Sequence, residues 1–139
     1  PNHLSVYATE AYYTGPDSRV RRFEYRKDGF VSIRGGNKGG ELVTKPITLG
    51  RLAERLTLNY QTVKNGTLRV AIEEPNGNPI SGFTLDNCKP LKGDSLRHNV
   101  MWKDGADISA LRRKHKVVQL RFEIRNGDLY ALQFQPWLR

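Results

Sequence analysis

The sequence predicts an all-β protein, an antiparallel β-sandwich of jelly-roll type. The first observation is a series of short runs in which every second residue is apolar, the pattern of a strand with one buried face. The second is that turn dipeptides, among them Asn65-Gly66 and Asn76-Gly77, separate these runs about every 8–12 residues. The third is that only residues 107–112 have a helical pattern, so strands and helices do not alternate along the chain.

The first 27 residues differ from the rest of the chain. Tyr12 and Tyr13 precede a Gly-Pro-Asp turn signal, and a basic run follows that ends at Lys27. This composition predicts an extended lead-in with an edge strand rather than part of a regular ladder. We therefore divide the chain into a lead-in segment, 1–27, and a β-sandwich domain, 28–139.

The ladder of the second segment contains about eight strands. Pro46 lacks a backbone donor and is expected to end one of them. Asn65-Gly66 is expected to form a hairpin turn, because both central positions of a type I′ turn need positive φ. Asp107 is expected to cap the single short helix. Strands are expected at residues 30–34, 41–45, 55–63, 67–73, 80–83, 96–103, 117–125 and 129–135, with a short apolar run at 47–49.

The charge of the chain predicts attraction to polyanions. The 139 residues carry a formal charge of +9, and basic residues cluster in 19–27 and 112–116. Candidate partners are an acidic polysaccharide, a nucleic acid or an anionic lipid surface, and a solvated basic surface without a specific partner is the alternative. The lone Cys88 cannot form an internal disulfide, and no apolar run is long enough to span a membrane. The chain starts at Pro1 without an initiator Met or a signal peptide, so we expect a piece of a larger protein.

No catalytic centre is recognisable in the sequence. The three histidines, at positions 3, 98 and 115, lack a second His or Cys at metal-ligand spacing. Glu73 and Glu74 are neighbours on a strand and point to opposite faces, so they cannot flank one bond. We therefore expect no catalysis and no cofactor. A structural calcium ion stays an open alternative, because turn carboxylates can hold one; the candidates are Asp104, Asp107, Asp128, Glu10 and Glu41.

The candidate binding residues are basic and aromatic side chains with polar neighbours. Arg69 and Arg121 alternate with buried aliphatic residues and are expected to face solvent. An Arg fork pairs with carboxylate, sulfate or phosphate, and an aromatic ring stacks on a sugar or a base. Trp102 shares the face of Val100, so a place in the core is its alternative. The predicted ligand-binding residues are Arg69, Arg121, Trp102, Lys103, Asn59, Asn99, Arg34, Lys38, Tyr12 and Tyr13.

Several short motifs, spread over about four-fifths of the chain, resemble a known bacterial module. They are 28-DGFVS-32, 39-GGELVTKP-46, 79-PISGF-83, 86-DNC-88, 100-VMWK-103, 118-VQLRF-122 and 128-DLYALQF-134. Together they resemble the C-terminal β-sandwich attached to five-bladed β-propeller proteins that are similar to glycoside hydrolase family 32. The run 12-YYTGPDSR-19 resembles the segment that joins propeller and sandwich in such proteins.

The resemblance implies a non-catalytic, carbohydrate-binding accessory module of a bacterial enzyme that is secreted, periplasmic or bound to the cell surface. Its partners would be a polysaccharide and the neighbouring catalytic domain, and the excess of basic residues favours a sulfated or uronate-bearing glycan. One alternative is a structural module that packs on the propeller and has no ligand of its own. The other is a basic nucleic-acid-binding domain, for which the Arg34-Gly35-Gly36 triplet is weak support.

Overall fold

The computed structural model describes residues 2–137, which form eight β-strands and one short helix. Two of the strands, β6 and β8, are each 19 residues long and dominate the fold. The elements are β1 His3–Glu10, β2 Arg19–Arg26, β3 Ile33–Gly35, β4 Gly40–Val43, β5 Ile47–Thr48, β6 Arg55–Glu73, β7 Asp94–Asn99, α1 Ser109–Lys114 and β8 Val117–Gln135.

A six-stranded sheet organises most of these elements. Its order is β3-β8-β6-β7, and β4 and β5 also pair with β8. Because β6 occupies one edge of β8, the short strands β3, β4 and β5 follow one another along the other edge. Every pairing is antiparallel, which confirms the predicted all-β class with a sandwich-like arrangement. The jelly-roll strand order stays a prediction.

The core lies on one face of this sheet and is covered by the segment between β6 and α1. On the sheet side, the alternating residues of β6 and β8, for example Leu58, Val70 and Phe122, are almost wholly buried. On the covering side, Trp102 and Ile108 pack into the same cluster. Burial of such side chains contributes about 1.5–3 kcal/mol each, so this contact is the main source of stability.

The predicted hairpin turn at Asn65-Gly66 is wrong. Strand β6 continues through it in one direction, with Thr62 opposite Gly127 and Thr67 opposite Arg125. Residues 63–66 therefore bulge opposite a single residue of β8. Asn65 keeps the positive φ that its sequence predicts, 61°. A Cβ on Gly66 would overlap the carbonyl oxygen of the residue opposite, which explains why glycine occupies this position.

The lead-in is a β-hairpin and not an edge strand of the ladder. Strands β1 and β2 pair only with each other, and nearly all their residues are exposed. Register places Leu4 opposite Tyr25 and Val6 opposite Phe23 on the same side of the ribbon. These four side chains, here called the apolar face of the hairpin, remain 38–44% exposed.

Smaller differences concern strand ends and the helix. Residues 80–83 form turns instead of a strand, and β7 ends at Asn99, before Trp102. The N-cap position of α1 is Ile108 rather than Asp107, although Asp107 Oδ1 accepts a hydrogen bond from Ser109 N at 2.8 Å. Within residues 2–137 there is no helix with the length and hydropathy needed to cross a bilayer.

Candidate ligand-binding surface

Arg121 is engaged by two carboxylates and is not a free outward group. Its Nε donates to Glu73 Oε1 at 2.6 Å, and a second guanidinium nitrogen pairs with Glu41. Glu73 also accepts a hydrogen bond from Gln119 Nε2 at 3.0 Å. The Glu73 side chain is only 5% exposed and that of Arg121 is 30% exposed. Arg121 therefore compensates a buried charge, and its predicted role as a ligand-binding residue is not supported by its surroundings.

Trp102 and Asn59 are buried, so the expectation that they face a ligand is wrong. The indole of Trp102 lies in the core and donates to Val70 O at 3.1 Å. Asn59 fixes the base of the hairpin. Its Oδ1 accepts from Arg26 Nε at 2.7 Å, and its Nδ2 donates to Lys27 O at 2.9 Å. Both side chains have their hydrogen-bonding capacity taken up inside the protein.

Arg34 is paired with Asp128. Its Nε donates to Asp128 Oδ1 at 3.0 Å and a terminal nitrogen donates to Oδ2 at 3.2 Å, while Ser32 Oγ donates to Oδ1 at 2.7 Å. Burial, the largest influence, would raise the pKa of Asp128, but these hydrogen bonds and the charge of Arg34 outweigh it and lower the pKa. The Arg34 side chain is largely exposed, and its guanidinium group is already paired with the Asp128 carboxylate.

The other four predicted residues lie in three separate places. The rings of Tyr12 and Tyr13 contact each other in a tilted arrangement at the tip of the hairpin, with centroids 4.1 Å apart and planes at 52°, and both are exposed. Lys103 is exposed in the loop that follows Trp102. Asn99 ends β7 opposite Thr57 and is half-buried. The structure therefore does not assemble the predicted aromatic and polar residues into one site.

Lys38 and Arg69 are the predicted residues that the structure brings together. They line a concavity of about 480 Å³ on the sheet, here called the basic groove, whose other charged residues are Arg125, Glu41 and Glu123. A volume of this order falls within the ~300–1,000 Å³ range of small-ligand pockets.

Strand pairing explains how these groups meet. Glu123 of β8 stands between Arg69 of β6 and Glu41 of β4 in register. The turn that carries Lys38 is anchored from β8, because Arg125 Nε donates to Asn37 O at 2.9 Å. Gly39 closes that turn with φ 80°, a left-handed conformation that favours glycine. The lining combines guanidinium and ammonium donors with carboxylate acceptors and keeps a net positive charge.

Four of the five carboxylates proposed as calcium ligands, all except Asp104, have other partners among the described residues. Glu10 pairs with Arg19 at 2.8 Å and with Arg21 at 2.9 Å, and Glu41 pairs with Arg121. In residues 2–137 no three His, Cys, Asp or Glu side chains gather where a metal ion could be held. The lining of the basic groove offers hydrogen bonding and charge.

Sequence reasoning missed Glu123 and Arg125 as members of the groove. A signal was available, since both alternate with Phe122 and Ile124 and must lie on the side opposite the core. Their proximity to Lys38 could not be predicted from the sequence, because it depends on the register of β4 against β8. That pairing joins segments about 80 residues apart.

No protein-family model, no curated protein and no solved structure matches this chain. The likeness of its motifs to a propeller-associated sandwich therefore stays a hypothesis. The groove and the hairpin are the features from which a function can be argued.

Proposed function

We propose that this protein is a non-catalytic module that binds an acidic polysaccharide through the basic groove. It would act as an accessory to a secreted carbohydrate-active enzyme. The observation that carries the proposal is the meeting of Lys38, Arg69 and Arg125 with Glu41 and Glu123 in one concavity on the sheet.

The lining suits a sugar that carries acid groups. Carboxylate oxygens accept hydrogen bonds from sugar hydroxyls, while Arg and Lys donate to hydroxyl, uronate and sulfate oxygens. Exposed ion pairs contribute only ~0–1 kcal/mol each, so several contacts must act together and the affinity for a short chain should be micromolar. Holding the polysaccharide near a catalytic partner would raise its local concentration for that partner.

Titration calorimetry against alginate, dextran sulfate and unmodified dextran tests this proposal. We expect binding to the two acidic polymers that weakens markedly between about 0.05 M and 0.15 M salt, because exposed charges are screened. The double variant Lys38→Met/Arg69→Met should lose most of this binding. A matched control, Lys64→Met/Arg97→Met, removes the same charge from exposed positions that do not line the groove. Equal binding to dextran, without salt dependence, would contradict the proposal.

A second candidate function is favoured by the apolar face of the hairpin. A two-stranded ribbon is marginally stable alone in water, and this one exposes Leu4, Val6, Phe23 and Tyr25 together on one side. Exposed apolar groups in contact with one another mark interaction surfaces. We propose as the alternative that the hairpin packs on a neighbouring catalytic domain and that the module is structural.

Amide hydrogen exchange distinguishes this alternative. In the isolated chain, the amide hydrogens of β1 and β2 should exchange much faster than those of β6. In the full-length gene product they should become protected if the hairpin packs on another domain. Lysine in place of Phe23 should remove that protection, whereas lysine in place of Val20, on the opposite side of the ribbon, should not. Fast exchange of the hairpin in both proteins would count against the alternative.

A further inference from the structure

A second basic concavity lies at the start of β8, away from the basic groove. Its charged lining residues are Arg51, Arg112 and Lys116, its uncharged ones are Thr48 and Leu49, and its volume is about 540 Å³. We call it the three-cation concavity. No acidic residue lines it, whereas the basic groove contains two.

Strand pairing and the position of α1 bring these side chains together. Strand β5 pairs with the first residues of β8, and Leu49 N donates to Lys116 O at 2.8 Å. Leu49 is buried and supplies an apolar floor. On the helix side, Leu111 inserts into the core, which places the neighbouring Arg112 at the surface in the last turn of α1.

Among the described residues, no carboxylate is paired with the cations of this concavity, Arg51, Arg112 and Lys116. By contrast, Arg34 and Arg121 each have an acidic partner. Like charges that line one concavity repel one another, and an oxyanion bound among them would offset that repulsion.

We propose that the three-cation concavity binds a sulfate ester of a glycan, and this assignment rests on the proposed polysaccharide binding. A sulfate ester has three terminal oxygens directed apart, so it can accept hydrogen bonds from two guanidinium groups and one ammonium group at once. A uronate has two oxygens in one plane, which a single Arg fork satisfies. The concavity therefore discriminates sulfated chains from chains that carry only uronates.

The two sites lie at different positions along β8, the groove on the side opposite the core and the concavity beside α1 at the start of the strand. Strand β5 pairs near Val118 and β4 pairs up to Ile124, so the sites are at least about 20 Å apart at roughly 3.3 Å per residue. A sulfated chain long enough to span this distance engages both sites, and its affinity rises through effective concentration. Shorter fragments engage one site at a time.

Titration of the whole 139-residue chain with dextran sulfate, alginate and duplex DNA tests the assignment. The concavity variant Arg51→Met/Arg112→Met should lose about tenfold in affinity for long dextran sulfate and keep its affinity for alginate within about twofold. It should also lose the rise in affinity with dextran sulfate length. The control Lys64→Met/Arg97→Met should change all of these affinities by less than about twofold.

The outcomes separate this assignment from the proposed function. If the concavity variant binds dextran sulfate like the control while Lys38→Met/Arg69→Met does not, the sulfate site is refuted and the groove stands. If the concavity variant loses alginate or DNA as much as dextran sulfate, the site is a general polyanion surface and the sulfate assignment fails. If every variant binds like the original chain, both proposals fail. Unchanged thermal unfolding of each variant excludes loss of structure as the cause.

Discussion

Replacement of Arg121 by methionine tests whether this residue stabilises the fold or binds a ligand. Methionine keeps much of the apolar stem and removes the guanidinium group. Glu73 would then retain a buried carboxylate with Gln119 as its remaining partner. Removal of one partner from a buried ion pair costs about 3–5 kcal/mol, and an exposed pair contributes about 0–1 kcal/mol.

The expected magnitude follows from the burial of the two partners. Glu73 is almost completely buried, but nearly a third of the Arg121 side chain is exposed. We therefore expect a loss of about 2–3 kcal/mol in the free energy of unfolding. For a chain of this size that corresponds to a decrease of about 6–12 °C in Tm. Urea titration and thermal unfolding followed by circular dichroism measure both quantities.

The matched control is Arg97→Met, an exposed residue of β7 that should change stability by less than about 0.5 kcal/mol. The double variant Arg121→Met/Glu73→Gln should regain part of the loss, because it no longer buries an unpaired carboxylate. A loss below about 1 kcal/mol for Arg121→Met, equal to that of an exposed pair, would refute the reasoning. If the same variant also bound alginate more weakly, Arg121 would have to be returned to the ligand-binding residues.

Three further predictions concern single positions. Gly66→Ala should destabilise the protein by more than about 2 kcal/mol in urea titration, because the added Cβ overlaps backbone atoms, whereas Gly36→Ala, in open space, should have little effect. Asp128→Asn should lower stability at neutral pH. Because the pKa of Asp128 is lowered in the folded state, its contribution is present above the ordinary pKa of about 4 and is lost as pH falls through the lowered value, so the two proteins should converge in acid. Cys88 is buried, and burial also raises the pKa of its thiol, so a thiol reagent should label it only when the protein unfolds; fast labelling of the native protein would contradict its place in the core.

The apolar positions of the long strands could be predicted because alternation is a local property. Leu58, Leu68 and Phe122 lie on the buried side, and the sequence shows this directly because each has polar residues on both sides. For Trp102 the sequence left two alternatives, a ring that binds a ligand and a ring in the core. The face that it shares with Val100 favours the core, and the structure places it there. Periodicity identifies the buried side of a strand without identifying the strand's partners.

Long-range register explains what could not be predicted. Alternation predicts that Arg121 faces away from the core, and the structure agrees. Its pairing with Glu73, however, depends on the alignment of β6 with β8. Asn65-Gly66 has the φ preference of a hairpin turn but lies in a bulge. The reason is that β6 pairs with β8 on both sides of these residues, so the strand continues in one direction. Tertiary contacts determine both outcomes, and no short segment contains that information.

The pairing of β6 with β8 also sets the order of events when the chain is synthesised. Partners in this pair are 46–80 residues apart, and β8 is made last. At about 5–20 residues per second, the buried side of β6 stays uncovered for several seconds after its own synthesis is complete. Such a high contact order predicts slow folding, and a long apolar strand with a free edge predicts aggregation during that interval. Slower growth at reduced temperature or the presence of chaperones should therefore raise the yield of folded protein more than any single stabilising substitution.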